Sequence, residues 1–339
     1  MRVSSLDKPM FQSAYQIEVA ESEQLLEYLL WCRRTDVHDQ ISSSGFGSSS
    51  PTWAEWVQQT FVGFSSNRLL IQSGHRVASA FLVDPCVTPS SNLGVRSFVR
   101  SILSSLTGKY LVKDGPRSVE KYLAAFQEYY PDFEIPEAHR AFVEMHPLSY
   151  FFTCESYLLR EERSEPRSIL EVGAGAGVNV CIYLSMHPGL SVSIVDLPET
   201  IPVGYAFLKS VFPSLRVRLP HETAECESAD YDVNYYLPHQ VDLIESDQHD
   251  LAFNHSSFQE MDLEVVNSYL GLIHRALKAG GVFCSLNVEQ SRYRLDNRIE
   301  SYDLTAFGSA PKVKEAPYAN THCRQVGERA RFLEVCKAT

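Results

Sequence analysis

Nowhere in the chain do apolar residues run unbroken for the ~20 positions a membrane-spanning helix needs, so no membrane partner is expected. The first residues, MRVSSLDKPMFQSAYQIEVAESE, hold no apolar signal core, and the expected location is cytoplasmic. Basic charge is in deficit: 30 Lys and Arg stand against 42 Asp and Glu, a net charge of −12. That balance excludes a nucleic-acid backbone as the main partner and suits a neutral or cationic small molecule. The eight cysteines include no C-x-x-C pair, which argues against zinc knuckles and disulfide frameworks. They read instead as small buried hydrophobes or inert thiols. No internal repeat is visible, and the one biased segment, SSSGFGSSSP at 42–51, reads as a loop. What is present is ample apolar material: 44% of the 339 residues are hydrophobic and 11% aromatic, enough to build a substantial core.

Two patterning regimes divide the chain. Up to about residue 165 the apolar spacing is mostly helical. IEVAESEQLLEYLLWCRR (17–34) sets Leu25, Leu26, Leu29 and Leu30 on one broad face. PTWAEWVQQTF (51–61) opens on a proline suited to a first helical position. VRSFVRSILSSL (95–106), SVEKYLAAFQEYY (118–130) and PLSYFFTCESYLLREE (147–162) continue the style. Residues 1–165 are therefore expected to form a helical lid or dimerisation region. Trp53, Trp56 and Phe61 fall in it at helical spacing, as core residues, and a homodimer is one arrangement its apolar faces would allow.

From Ser168 the pattern becomes strand, helix, strand. SILEV is a short buried strand and AGVNVCIYLSMH a helix; LSVSIVDL (190–197) and PETIPVGYAFLKSVF repeat the unit. YDVNYYL (231–237) and HDLAFN (249–254) read as third and fourth strands. A long amphipathic helix is expected over 262–281, and VFCSLNV (282–288) as the fifth strand. Residues 166–339 thus predict an α/β domain, a mostly parallel seven-stranded sheet with helices on both faces. The remainder, 289–339, is expected to add a final hairpin and part of a lid.

At the first strand–helix junction the glycines fall as Gly173-Ala174-Gly175-Ala176-Gly177, with Glu171 two residues before them. Glycines at such a turn let backbone amides approach a nucleotide-like ligand. The dinucleotide fingerprint G-x-G-x-x-G needs a third glycine where this chain has Val178. The spacing here, G-x-G-x-G with a preceding acid, resembles motif I of class I S-adenosylmethionine-dependent methyltransferases. The resemblance implies a Rossmann-like fold and S-adenosylmethionine as cofactor, with Glu171 meeting its methionine end and Gly173, Ala174, Gly175 and Gly177 lining it. Asp196, at the end of the second strand in IVDLPET, is placed to accept hydrogen bonds from a ribose diol, with Leu197 beside it. LKAGG (277–281) is similar to the family's L-K-P-G-G turn, with alanine in place of proline.

Residues 168–290 carry a closer likeness. VDLPETIPVGYAFLKSVFP (195–213) and NHSSFQEMDLEVVNSYLGLI (254–273) resemble the sugar O-methyltransferases of bacterial glycan and natural-product clusters. That resemblance implies a hydroxyl of a sugar or sugar-bearing metabolite as methyl acceptor. The D-L-P also occurs in plant-type phenolic O-methyltransferases, the nearest alternative. A protein that keeps the fold but has lost transfer, and a nicotinamide-dependent oxidoreductase, stand further off.

Methyl transfer to a hydroxyl needs alignment of the acceptor and a place for its proton. Ligands of open α/β sheets meet at the carboxyl ends of the strands, so the tips of strands four and five supply the catalytic candidates. His255 is the expected general base, Glu260 a partner for it or for acceptor hydroxyls, and Asn287 a hydrogen-bonding residue. Asn254 and, after strand three, His239 are expected to touch the cofactor, His239 beside the adenine. His249 should fall at the opposite end of the sheet, and His146 and Tyr150 should pack the two regions together. Asp247, Asp250, Glu260 and Asp262 are acids near one another in sequence, but no metal site is expected from them.

Overall fold

The computed structural model describes residues 13–18, 22–46, 60–65, 68–73, 154, 157–158, 161–223, 226–288, 298–307, 313–316 and 328–334. His146, Tyr150, Trp53, Trp56, the side chain of Phe61, and the helices expected at 95–106 and 118–130 lie outside the described residues.

Within the N-terminal region the described elements are β1 (Ser13–Glu18), α1 (Ser22–Arg34), α2 (Val37–Ser43), β2 (Thr60–Ser65) and β3 (Arg68–Ser73). β1 and β2 both pair antiparallel with β3, forming a three-stranded sheet. Two helix boundaries are corrected by this sheet. Ile17 and Glu18 end a strand instead of opening a helix, and Thr60 and Phe61 open β2. SAYQIE sets Tyr15 and Ile17 alternately with small or polar residues, TFVGFS is rich in β-branched and aromatic residues, and the strand between them pairs with both.

The α/β domain comprises β4 (Ser168–Val172), α3 (Val178–Met186), β5 (Ser191–Val195), α4 (Ile201–Val211), β6 (Val217–Arg218), β7 (Val233–Tyr236), β8 (His249–His255), α5 (Leu263–Ala276), β9 (Leu277–Val288), β10 (Val313–Ala316) and β11 (Glu328–Glu334). The sheet order is β10-β11-β9-β8-β4-β5-β7-β6. Its six strands from β9 to β6 run parallel, and the β10–β11 hairpin enters antiparallel beside β9. The sheet has one strand more than expected, because Val217 and Arg218 extend its edge beyond β7.

Strand alternation builds two cores, one per face. Ile169, Leu251, Phe253, Val282 and Cys284 join the cluster containing α3 and α4, while Leu170, Val172, Ala252 and Phe283 join the one containing α5. The expected helix over 262–281 ends early, at Ala276. LKAGG instead makes an irregularity in β9: Leu277 pairs with His249 and the ladder resumes at Val282 opposite Leu251. Gly280, at φ +78°, turns the chain there.

α1 docks on this domain through specific polar contacts. Gln24 Nε2 donates to Val217 O (2.8 Å) and to Glu222 Oε2 (2.8 Å), and Tyr205 OH donates to Gln24 Oε1 (2.7 Å). Tyr28, fully buried, donates to Pro198 O (3.3 Å), and His38 Nε2 lies 2.9 Å from Glu199 Oε1.

Candidate functional site

Successive strands run outward from β4 to β5 and β7 on one side, and β8 returns to the other side of β4. The chain therefore reverses its winding between β4 and β8, where open α/β sheets form a ligand crevice at the carboxyl ends. Three of the expected elements meet at that crevice: the glycine turn after β4, the 254–260 loop after β8, and Asp196 at the end of neighbouring β5.

Each glycine of the turn adopts a left-handed backbone: φ is +74° at Gly173, +57° at Gly175 and +76° at Gly177. A side chain would strain all three positions. Gly173 has a second constraint, because its missing Cβ position is occupied by the Ser257 side chain. Close approach at this glycine is thus to the β8 loop. A similar approach occurs at Gly204 of α4, where a Cβ would lie 2.7 Å from Tyr235 OH and 3.3 Å from Gly175 O.

Asp196 is wired into the turn. Its Oδ2 accepts from Gly175 N (2.8 Å) and its Oδ1 from Leu197 N (2.7 Å), and the Ala174 amide and Thr200 hydroxyl also donate to it. Burial nevertheless pushes its pKa up to about 7. Glu171 is fully buried at the end of β4; Asn179 donates to its Oε1 (3.2 Å), and its Oε2 has no hydrogen-bond partner among the described residues. Burial raises Glu171 to about 8, and the charge of Asp196 adds to the shift. The turn therefore sits between two carboxylates that hold protons unusually well.

The β8 loop is held by asparagine side chains. Asn254 Nδ2 donates to Val172 O (2.7 Å) and contacts Ser257 Oγ, while its Oδ1 accepts from Phe258 N (3.2 Å) and Asn287 Nδ2 (2.9 Å). Asn287 Nδ2 also donates to Ser285 Oγ (3.0 Å), and its Oδ1 accepts from Gln259 N (3.2 Å). Both amides are fully buried and spent on the loop. Each of the two amides braces the strand tips. Ser256, at φ +60°, carries the local strain of that bracing.

His255 is buried on the α3 side of the sheet, stacked on Phe253 (5.0 Å between centroids), with Nδ1 2.7 Å from Asn179 Nδ2. Burial lowers its pKa to about 3, because desolvation disfavours the imidazolium and keeps the ring neutral. Glu260 is buried in the 3-10 turn Phe258–Glu260 on the same loop. His239 lies in the turn Pro238–Leu243 after β7, its Nδ1 without a hydrogen-bond partner among the described residues, and burial lowers its pKa. His249 begins β8, at the opposite end of the strand from the site. Asp250 is also there, accepting from Arg167 N (2.9 Å), Ser168 N (3.0 Å) and Lys278 Nζ (2.6 Å). Among the described residues no cluster of three His, Cys, Asp or Glu side chains is set to hold a metal ion.

Sequence reasoning missed Asn179, Thr200, Gly204 and Ser257. Thr200 was legible as the residue four past Asp196, and Asn179 as the second residue after the glycines. Their partners were not, since each depends on a strand distant in sequence.

A winding reversal beside an acidic glycine turn, with a hairpin entering antiparallel beside β9, defines the architecture. The domain is a doubly wound, Rossmann-like α/β sheet. No family model and no curated protein matches the sequence. Solved structures with a similar chain trace include the Burkholderia thailandensis 1,6-didemethyltoxoflavin-N1-methyltransferase with bound 1,6-didemethyltoxoflavin and S-adenosylhomocysteine. It is 17% identical, with 66% of this chain and 91% of that one covered, at a TM-score of 0.40. Another is an O-methyltransferase from Bacillus cereus in complex with S-adenosylhomocysteine, 13% identical over 70% of this chain and 97% of that one, at a TM-score of 0.37. The apo S-adenosylmethionine-dependent methyltransferase SibL is 13% identical, with 81% of each chain covered, at a TM-score of 0.41. No helix among the described residues is long and apolar enough to cross a membrane.

Proposed function

We propose that the protein is an S-adenosylmethionine-dependent methyltransferase that methylates a hydroxyl of a sugar or sugar-bearing small molecule. The observation that carries the cofactor half of this reading is the pair of carboxylates on either side of the glycine turn, the fully buried Glu171 and the half-buried Asp196. The amides of Ala174 and Gly175 are already engaged by Asp196, so they do not form an open cradle for a pyrophosphate. Either carboxylate, once ionised, would also repel one. A cationic ligand gains from the same arrangement, because it stabilises the ionised form of a carboxylate that burial disfavours.

S-adenosylmethionine brings an ammonium, a ribose and a methyl group activated on a sulfonium. Glu171, with its open Oε2, suits the ammonium end. Asp196 suits the ribose, on condition that it exchanges one of its present donors; the Thr200 hydroxyl turns freely and is the one to yield. His239 suits the adenine side, where its unpartnered Nδ1 can gain a hydrogen bond. A neutral acceptor oxygen becomes strongly acidic as it takes up a methyl, so even a weakly basic carboxylate accepts its proton. Glu260 fills that role, with His255 positioning the acceptor.

The sugar acceptor is supported by the likeness of DLPET (196–200) and NHSSFQEM (254–261) to sugar O-methyltransferases. Residues 1–165 are proposed as a lid over the acceptor, with α1 fastened behind Asp196, and the protein as a soluble cytoplasmic enzyme. The deciding experiment is mass-spectrometric detection of methyl transfer from S-adenosylmethionine to panels of nucleotide sugars, glycosides and phenols. Transfer to glycosides alone supports the full reading. Transfer to phenols alone retains the cofactor and overturns the acceptor.

A further inference from the structure

Asn179 touches two groups at once. Its Nδ2 lies 3.2 Å from Glu171 Oε1 and 2.7 Å from His255 Nδ1. An amide nitrogen has two hydrogens and no lone pair to offer, so it donates one bond to each partner. His255 Nδ1 must then accept, and the single proton of the neutral imidazole goes to Nε2. Rotating the amide by half a turn would place its oxygen against both groups. That orientation suits a protonated Glu171 and a His255 carrying its proton on Nδ1, but it sets oxygen against oxygen once Glu171 is ionised. Asn179 Oδ1 is itself buried without a hydrogen-bond partner among the described residues, so nothing on its far side opposes this choice.

We infer that Asn179 is a positioning residue that fixes the tautomer of His255, keeping its proton on Nε2 whenever Glu171 is ionised, so that His255 serves as a hydrogen-bond donor at Nε2. The inference deepens the proposed function, because a bound cationic cofactor holds Glu171 ionised and thereby locks the tautomer. It also explains why the proton of an acceptor hydroxyl passes to Glu260. A ring that already carries hydrogen on Nε2 and accepts a bond on Nδ1 has no free lone pair. Burial works in the same direction, since it resists formation of the doubly protonated ring.

The test is the imidazole ¹⁵N spectrum of His255 in full-length protein labelled at histidine nitrogen, assigned with a His255→Gln variant. With saturating S-adenosylhomocysteine, the expected result is a neutral ring protonated on Nε2. Asn179→Leu removes the amide donor, and the ring should then show a mixture of the two tautomers. A proton on Nδ1 in the wild type, or a tautomer unchanged in Asn179→Leu, would overturn the proposal. The wild-type spectrum requires no variant to fold. If S-adenosylhomocysteine fails to bind, the cofactor reading falls alone, because the spectrum of the free protein above pH 8, with Glu171 ionised, still reads the tautomer.

Discussion

The Oδ2 atom of Asp196 accepts a hydrogen bond from the backbone of Gly175 across 2.8 Å, joining the end of β5 to the turn after β4. One carboxylate thereby shapes the turn from the neighbouring strand. Asp196→Ala should cost S-adenosylhomocysteine affinity about 1.5–3 kcal/mol, the scale of hydrogen bonds to a charged group, measured by calorimetric titration. It should also lower Tm in the absence of ligand, because the Gly175, Ala174 and Leu197 amides lose their acceptor. Binding of NADH, with none of S-adenosylhomocysteine, would instead overturn the cofactor assignment.

Glu171 and Asp196 hold protons in the native state that the unfolded chain releases. With folded values of about 8 and about 7, the native protein binds more protons than the unfolded one above roughly pH 4. Their contribution to stability therefore falls as pH rises from about 4.5, most steeply between about pH 5 and 7, and levels off above about pH 8. Glu171→Gln should flatten that fall and raise Tm at pH 8, by roughly 2–4 °C for each kcal/mol of relieved burial cost. The same variant should bind S-adenosylmethionine more weakly. In the wild type, binding near pH 7.5 should release protons, read as a difference in calorimetric heat between phosphate and Tris buffers.

Two buried histidines act in the opposite sense. His255 and His249 are pushed down to about 3 and about 4 by burial, so the unfolded chain takes up protons below pH 6.5 that the native state refuses. Their contribution is complete above pH 6.5 and is lost as pH falls towards 4. His249→Leu should raise Tm at pH 5 relative to wild type. It should leave S-adenosylhomocysteine affinity unchanged, since His249 begins β8 at the end away from the site.

Gln24 joins α1 to the α/β domain through three hydrogen bonds. Gln24→Ala leaves Val217 O, Glu222 and Tyr205 to find new partners, at a cost of about 1–3 kcal/mol if none replaces it. Hydrogen exchange should speed up in residues 22–43 while the strands β4, β5 and β8 stay protected. Equal acceleration throughout would show that α1 is an integral part of the domain.

Gly173 cannot carry a side chain for two reasons, its positive φ and the Ser257 side chain lying where a Cβ would go. Gly173→Ala should therefore lower Tm and abolish cofactor binding. Gly173→Ala with Ser257→Gly should recover part of the Tm, because the clash is relieved and only the backbone strain of roughly 1–2 kcal/mol remains. Full recovery, read by thermal melting, would mean that the turn tolerates a side chain at φ +74°.

The order of strands and helices after residue 166, the glycine turn with its flanking acids, and Asp196 at a strand end were all legible in the sequence. They are local: apolar runs, glycine spacing and strand ends report on neighbours a few residues away. The three-stranded N-terminal sheet was not legible, because antiparallel pairing of residues 13–18 with 68–73 is a long-range match that helical spacing nearby obscures. Nor were the duties of Asn254 and Asn287, polar residues at strand tips whose amides the fold spends on each other and on the loop. Sequence placed His255 at the carboxyl end of the fourth strand, and it ends β8. Only the tertiary structure buried it against Phe253 and brought Asn179 from the neighbouring helix to Nδ1, because both contacts depend on chain segments distant in sequence.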